Sequence, residues 1–407
     1  MFSCFSKISV DYCYQCMHGP EGCMVPSRQG EMSDIYAHTE ELEAKLRTIA
    51  KKESLEIDRA LANDKKNMQS PIKILILGGP SSGKSTIFKQ MKIIYLGSFE
   101  QPHELEMYRV LIDSNIRDSY LQLISGSRIL DISFDPIEHL LYEIDKIYAP
   151  MSQEFKVRTT PQLVGPLRAF WLSEQVQEVY KRRYEFELMD STKYYLENLD
   201  RISNPEYVPN QEDIVHSRKP TNTVHSITFD YTGVTLRMID VGGQRSERKK
   251  WLHLFDDAQV VLFVIDLTGY AKRSDESRME MSRFPDLFRG IRADAYDMKV
   301  ALKIFNDVAM AKPLESAVFL LFFNKEDLFK ELLPQVKLQP CFSKFEGENT
   351  LTDTKKFIQE KFLSATRQKK QTFSHFTTAT NRENMQMVFR GCMESVFKAN
   401  SKATGLS

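Results

Sequence analysis
At 407 residues the chain is too long for one ordinary core, so two domains are the starting expectation. Its 55 Lys and Arg balance 55 Asp and Glu, and a formal charge of zero argues against a broadly basic nucleic-acid binder. With 42% hydrophobic and 27% charged residues it reads as a soluble globular protein, and no apolar run approaches the ~20 residues of a membrane-spanning helix.

Residues 1–32 carry Gly, Pro, Ser and Met without periodicity and read as a flexible leader. Met1-Phe2-Ser3-Cys4 lacks the hallmarks of a secretory signal, and Phe2 stands where N-myristoylation requires glycine. Cys4, Cys13, Cys16 and Cys23 crowd this leader while Cys341 and Cys392 lie far away, which suits a reduced compartment better than a disulfide framework. Reversible S-acylation by palmitate and unmodified thiols both fit the aromatic-flanked tail. From Ser33 to Asn67, apolar residues including Leu42, Leu46, Ile49 and Leu61 mark an amphipathic helix within 33–70 that needs a partner to cover its stripe.

The run Ile72–Thr86 is a buried-strand pattern that ends in Gly78-Gly79-Pro80-Ser81-Ser82-Gly83-Lys84-Ser85 and opens a helix over Ser85–Ile94. The spacing is G-x-x-x-x-G-K-S. Backbone N–H groups of such a loop curl around a β-phosphate, Lys84 reaches outer phosphate oxygens, and the Ser85 hydroxyl is placed for Mg²⁺. The helix that begins with Ser85 and Thr86 turns its positive end to the same phosphates.

Residues 99–212 change character. Leu, Tyr, Glu and Arg at helical spacing over Glu104–Ser125, Pro136–Tyr148, Leu167–Tyr184 and Asp190–Leu199 predict an all-helical insertion. Strand patterns then return. Val224–Tyr231 and Val234–Ile239 pair around Thr232-Gly233, and Val260–Ile265 and Ala317–Phe323 suit central parallel strands. A helix over Asn384–Ala399 closes the α/β core, which spans 71–98 and 213–407.

Two further motifs sit at strand ends. Asp240-Val241-Gly242-Gly243 offers a carboxylate toward Mg²⁺, usually through water, and a bare glycine N–H toward a γ-phosphate. Asn324-Lys325-Glu326-Asp327 follows an apolar strand. A carboxylate there accepts from the N1–H and N2–H₂ edge of guanine, and adenine presents an acceptor at the corresponding place. The Lys325 stem covers the base face.

Asp240-Val-Gly-Gly-Gln244-Arg-Ser-Glu-Arg-Lys-Lys-Trp251 stands intact behind these motifs. From about Asp58 to the C-terminus the chain closely resembles the alpha subunits of heterotrimeric G proteins, Asp190-Ser191 and Tyr194-Tyr195-Leu196 of the helical insertion included. The resemblance implies a Ras-like P-loop GTPase domain, with a mostly parallel six-stranded sheet, interrupted by an all-helical domain. It implies that Arg218 stabilises charge on the transferring phosphate and that Gln244 orients the attacking water. It implies that Thr221 joins Ser85 on Mg²⁺ and that the Ala379 N–H meets guanine O6. By the same resemblance the nucleotide site takes in Gly78, Gly79, Ser81, Ser82, Gly83, Lys84, Ser85, Thr86, Asp190, Ser191, Asp240, Gly243, Asn324, Lys325 and Asp327. The implied partners are a beta-gamma dimer on the 33–67 helix and Arg245–Trp251, a heptahelical receptor on the C-terminal helix, effectors and GTPase-activating regulators. The implied place is the cytoplasmic face of the plasma membrane, reached through a lipid anchor and partners, with GTP or GDP and Mg²⁺ bound.

The chain also departs from the family. Pro80 replaces a glycine near the γ-phosphate and removes an N–H. Ser81 replaces a Glu that would pair with Arg218, and losing that clasp predicts faster GDP release. Ser274–Asp294 reads as an insertion after the Val260–Ile265 strand, and Thr404 stands where relatives often carry a toxin-modified Cys. An ATP-dependent P-loop enzyme shares the first motif but not Asn324–Asp327. A nucleotide-binding scaffold without turnover is the other alternative, because of Pro80 and Ser81.

Overall fold
A computed structural model describes residues 71–97, 99, 101–153, 158–274, 295–366 and 370–403. The leader, the 33–67 helix, nearly all of the 274–294 insertion and Thr404 lie outside the described residues. Strand β1 (Ile72–Gly78) leads to α1 (Lys84–Leu96), then α2 (Pro102–Ile129), α3 (Glu138–Gln153), α4 (Pro161–Leu172), α5 (Glu174–Lys181), α6 (Thr192–Glu197), α7 (Leu199–Ile202) and α8 (Gln211–His216). Then come β2 (His225–Tyr231), β3 (Val234–Asp240), β4 (Val260–Asp266), α9 (Asp297–Ala309), β5 (Val318–Asn324), α10 (Glu326–Leu332), α11 (Leu351–Ala365), β6 (Thr372–Thr377) and α12 (Arg382–Ala403).

The six strands form one sheet in the order β2-β3-β1-β4-β5-β6. Only β2 runs antiparallel, against β3, and the other pairings are parallel. Parallel strands are covered on both faces, and β1, β4 and β5 are accordingly near-continuous apolar runs. Their side chains alternate faces. Leu75, Leu77, Val261, Phe263, Phe319 and Leu321 join the core with α9, α10 and α11. Ile74, Ile76, Leu262, Val264, Leu320 and Phe322 meet α1 and α12 through Ile87, Met91, Phe389 and Met393. The chain leaves central β1 toward β3 on one side and β4 on the other, which opens a crevice at the carboxyl ends of these strands.

The helices between α1 and β2 hold a separate core, with Ile112, Ile116, Tyr120, Leu163, Phe170, Trp171, Tyr195 and Leu196 buried together. Leu167–Tyr184 reads as one helical stretch in sequence but is two helices here. The first starts earlier, at Pro161, and runs through Pro166, where it forgoes a single backbone hydrogen bond. It stops at Ser173, whose extended backbone (ψ 145°) lets both its N–H and its hydroxyl donate to Phe170 O, at 3.2 and 2.7 Å. Asp190–Leu199 likewise resolves into two short helices, α6 and α7, with Asn198 between them. Where the long insertion departs, Arg273 bridges Tyr296 antiparallel and the Ser274 N–H donates to Ala295 O at 2.9 Å. The excursion therefore leaves and returns at one point, a closure whose entropic cost grows only slowly with length.

Candidate nucleotide site
The phosphate loop turns on its glycines. Gly78 (φ +147°) lies so close to β4 that a Cβ would sit 2.3 Å from Val264 O, and Gly83 (φ +98°) so close to Asn324 that a Cβ would sit 2.2 Å from Nδ2. Gly79 O accepts from Ser82 Oγ at 3.0 Å and from Lys84 Nζ at 2.5 Å. Ser81 is an exposed non-glycine residue in the left-handed region (φ +54°). Thr86 follows in the first turn of α1, half-buried.

At the end of β3, Asp240 Oδ2 accepts from Ser85 Oγ at 2.7 Å, and Ser85 Oγ lies 2.8 Å from Thr221 Oγ1. Asp240 Oδ1 is buried and has no hydrogen-bond partner among the described residues, and burial pushes this carboxyl up despite the Ser85 hydrogen bond. Two hydroxyls and a carboxylate with a spare oxygen suit Mg²⁺, a hard cation that takes few protein oxygens beside water and phosphate. Among the described residues no cluster of three His, Cys, Asp or Glu side chains offers a rival metal site. Gly243 is packed against the loop, since a Cβ there would meet Lys84 Nζ at 2.3 Å and Gly79 O at 2.6 Å. Trp251 Nε1 donates to Gly242 O at 3.0 Å and Arg248 Nε to Gly243 O at 3.1 Å, so buried side chains hold this turn from behind. The Gln244 carbonyl opens the next turn by accepting from Glu247 N–H, and its carboxamide makes no hydrogen bond among the described residues.

Asn324 is a junction. Its Nδ2 donates to Ser82 O at 2.9 Å, while its Oδ1 accepts from Ala379 N at 3.0 Å and Thr377 Oγ1 at 3.2 Å. One amide thus ties the phosphate loop to both loops that sequence assigns to the base. Asp327 stands beside the second of these, with Thr378 Oγ1 at 3.5 Å, and burial raises its carboxyl against the pull of backbone N–H groups. Lys325, in the left-handed region at φ +65°, places Nζ 2.6 Å from Asp266 and 2.7 Å from Asp190. Desolvation would lower this ammonium, but the two carboxylates outweigh it and raise it. Asp190 is desolvated too, yet Lys325 and Lys272 hold it well below the usual carboxylate range. Ser191 donates its hydroxyl to His216 O at 2.5 Å and so fastens the helical segment to the end of α8.

Arg218 follows α8. Its N–H donates to Asn115 Oδ1 at 2.7 Å and its carbonyl accepts from Asn115 Nδ2 at 2.9 Å, so α2 fixes the backbone from both sides. The guanidinium donates to Ser81 Oγ at 2.9 Å and to Glu187 Oε1 at 3.2 Å. In place of the missing Glu, the guanidinium has a serine hydroxyl and one carboxylate, Glu187, as its partners. Lys89 of α1 donates to Ile214 O, Ser217 O and Ser217 Oγ at 2.6–2.9 Å, and burial lowers it to about 7. Asn115, Lys89, Asp266 and Glu187 escaped the sequence reading because no local motif marks them.

A family model described as G-protein alpha subunit matches residues 51–396. The chain belongs to that family. It is 70% identical over 406 residues to the guanine nucleotide-binding protein alpha-14 subunit of Caenorhabditis elegans and 69% identical over 408 residues to that of Caenorhabditis briggsae, covering 100% of each chain. The human guanine nucleotide-binding protein subunit alpha-13 is 34% identical over 361 residues, 86% of this chain and 91% of its own. The fold of this alpha subunit is the Ras-like GTPase sheet with a helical insertion that the sequence led one to expect. Among its described residues no helix is long and apolar enough to cross a membrane.

Proposed function
We propose that the chain binds GTP and GDP and hydrolyses GTP, as the switching alpha subunit of a heterotrimer that reads heptahelical receptors at the cytoplasmic face of the plasma membrane. The Asn324 junction carries this reading, because it makes the phosphate cradle and the guanine-selective loops one rigid unit. Residues 71–98 and 213–407 serve as the GTPase domain and 99–212 as the helical domain. Ser85 and Thr221 would hold Mg²⁺, with Asp240 supporting them, and the ion would supply positive charge against the nucleotide's phosphates. The N–H groups of Gly79, Ser81, Ser82 and Gly83, with Lys84, bind the phosphates. Asp327 and the Ala379 N–H select guanine, and Lys325 covers the base. Arg218 meets charge developing on the γ-phosphate, and Gln244 aligns a water for in-line attack that releases GDP and phosphate. Thr221 and Gly243 sense the γ-phosphate and order the loops that beta-gamma, effectors and GTPase-activating regulators read.

Binding and single-turnover assays with GTP and ATP test the proposal. GTP is expected to bind at least 100-fold tighter than ATP, Asp327→Asn to erase most of that preference, and Gln244→Leu to slow hydrolysis at least tenfold. Equal turnover by wild type and Gln244→Leu would leave the second reading, nucleotide binding without hydrolysis, which Pro80 favours by removing one cradle N–H.

A further inference from the structure
We infer that Glu187, a residue of the segment between α5 and α6, is the carboxylate that parks Arg218 and thereby sets the rate of GDP release. The inference rests on the guanine-nucleotide reading above and deepens it. Its first support is the ion pair itself, Glu187 Oε1 to Arg218 Nη2 at 3.2 Å, which among the described residues is the carboxylate in direct contact with that guanidinium, Asp118 and Asp190 acting on it from farther off. The second is presentation. Phe186 and Leu188 are buried in the helical core and Met189 is buried too, Phe186 packing its ring over Gly126 and Met189 N–H donating to Gln122 Oε1 at 2.9 Å. Glu187, two-thirds exposed, therefore projects outward from a backbone already held on both sides, and little ordering entropy opposes the contact.

The third is position. Three residues on, Asp190 grips Lys325 of the base motif, so one short segment of the helical domain hands carboxylates to a cation at the base end of the site and another at the phosphate end. Separation of this segment from the GTPase core must break the Asp190–Lys325 pair, and it parts Glu187 from Ser81, the other group that holds the Arg218 guanidinium. Arg218 has a fixed backbone and a side chain about one-third exposed, so Ser81 and Glu187 decide where its guanidinium rests. Ser81 offers only a neutral acceptor. Glu187 supplies the charge, and it supplies it from the helical insertion. Glu187 acts here as a positioning residue, through Arg218, and touches no reacting atom.

The test is release of a fluorescent GDP analogue from the full-length protein with Mg²⁺, for wild type, Glu187→Gln, Ser81→Glu and the double variant. An exposed ion pair supports an increase of about two- to fivefold in the release rate for Glu187→Gln. Ser81→Glu in that background should return the rate to within about twofold of wild type, a rescue that a merely structural role for Glu187 would not show. The difference between wild type and Glu187→Gln should also shrink in about 1 M salt. Unchanged release by Glu187→Gln, or no rescue by Ser81→Glu, overturns the inference while leaving guanine-nucleotide binding in place. A wild-type protein that retains no GDP analogue overturns that reading as well, and the two failures are thereby told apart.

Discussion

Single atoms decide how the proposed nucleotide site can be damaged. Gly243 has no room for a methyl group, because the added Cβ would sit 2.3 Å from Lys84 Nζ and 2.6 Å from the Gly79 carbonyl. Gly243→Ala must push the loop at the end of β3 away from the phosphate cradle or displace the lysine that serves it. Expected is at least a tenfold loss of affinity for a non-hydrolysable GTP analogue with less effect on GDP, since the γ-phosphate side is the one crowded. Calorimetric titration of both nucleotides checks this, and equal losses would refute it. Such a glycine is legible in sequence, where its motif marks it. Arg218 is legible only by resemblance, and its actual partners are not legible at all. Asn115 lies 103 residues away and Glu187 31 residues away, and nothing local to either announces the contact.

Elements are legible in sequence where their pattern is extreme. The apolar runs of β1, β4 and β5 stand within a residue of expectation because strands buried on both faces tolerate little else. The helical domain is legible in kind but not in its breaks, since side-chain caps such as Ser173 compete with helix continuation through contacts no period reveals. The link between α8 and Arg218 shows how elements position chemistry. Asp213 is fully buried, takes a bidentate pair from Arg201 at 2.6 Å and a Tyr194 hydroxyl at 2.8 Å, and completes a capping box with Asn210. Lys89 then ties the other end of α8 to α1 through three oxygens. Lys89→Met leaves those acceptors without their donor and should lower stability by about 1–3 kcal/mol. It should also slow GTP hydrolysis more than it weakens GDP binding, because Arg218 lies just beyond the released segment. Urea unfolding with single-turnover kinetics measures both, and loss of stability with unaltered hydrolysis would show that the link does not steer Arg218.

The molecule as a whole carries a built-in sensitivity to acid. His216 stacks on Tyr194 at 3.9 Å between ring centroids, and burial lowers it to about 4. The unfolded chain takes up this proton near pH 6.5 while the folded chain does not, so the stabilisation is complete above about pH 6.5 and is lost as pH falls toward 4. The contribution is about 1–3 kcal/mol. His216→Phe keeps the stack without the proton, so the difference in urea midpoint between pH 7 and pH 5 should be smaller for this variant than for wild type. Identical pH dependence in the two proteins would assign acid lability elsewhere. Cys341 and Cys392 are buried with thiols pushed up to about 12, and they should stay unreactive toward alkylating agents until the sheet opens. The insertion of the helical domain into the sheet has a further consequence, for how the protein is made. Ser85 and the Asp240 it bonds are 155 residues apart, and β1 has no sheet partner until β3 or β4 has been synthesised. At ~5–20 residues per second the ribosome exposes Ile72–Gly78 as an unpaired apolar strand for roughly ten seconds or more. The strand that leads into the proposed phosphate cradle is thus, during synthesis, an apolar segment that a chaperone would have to cover.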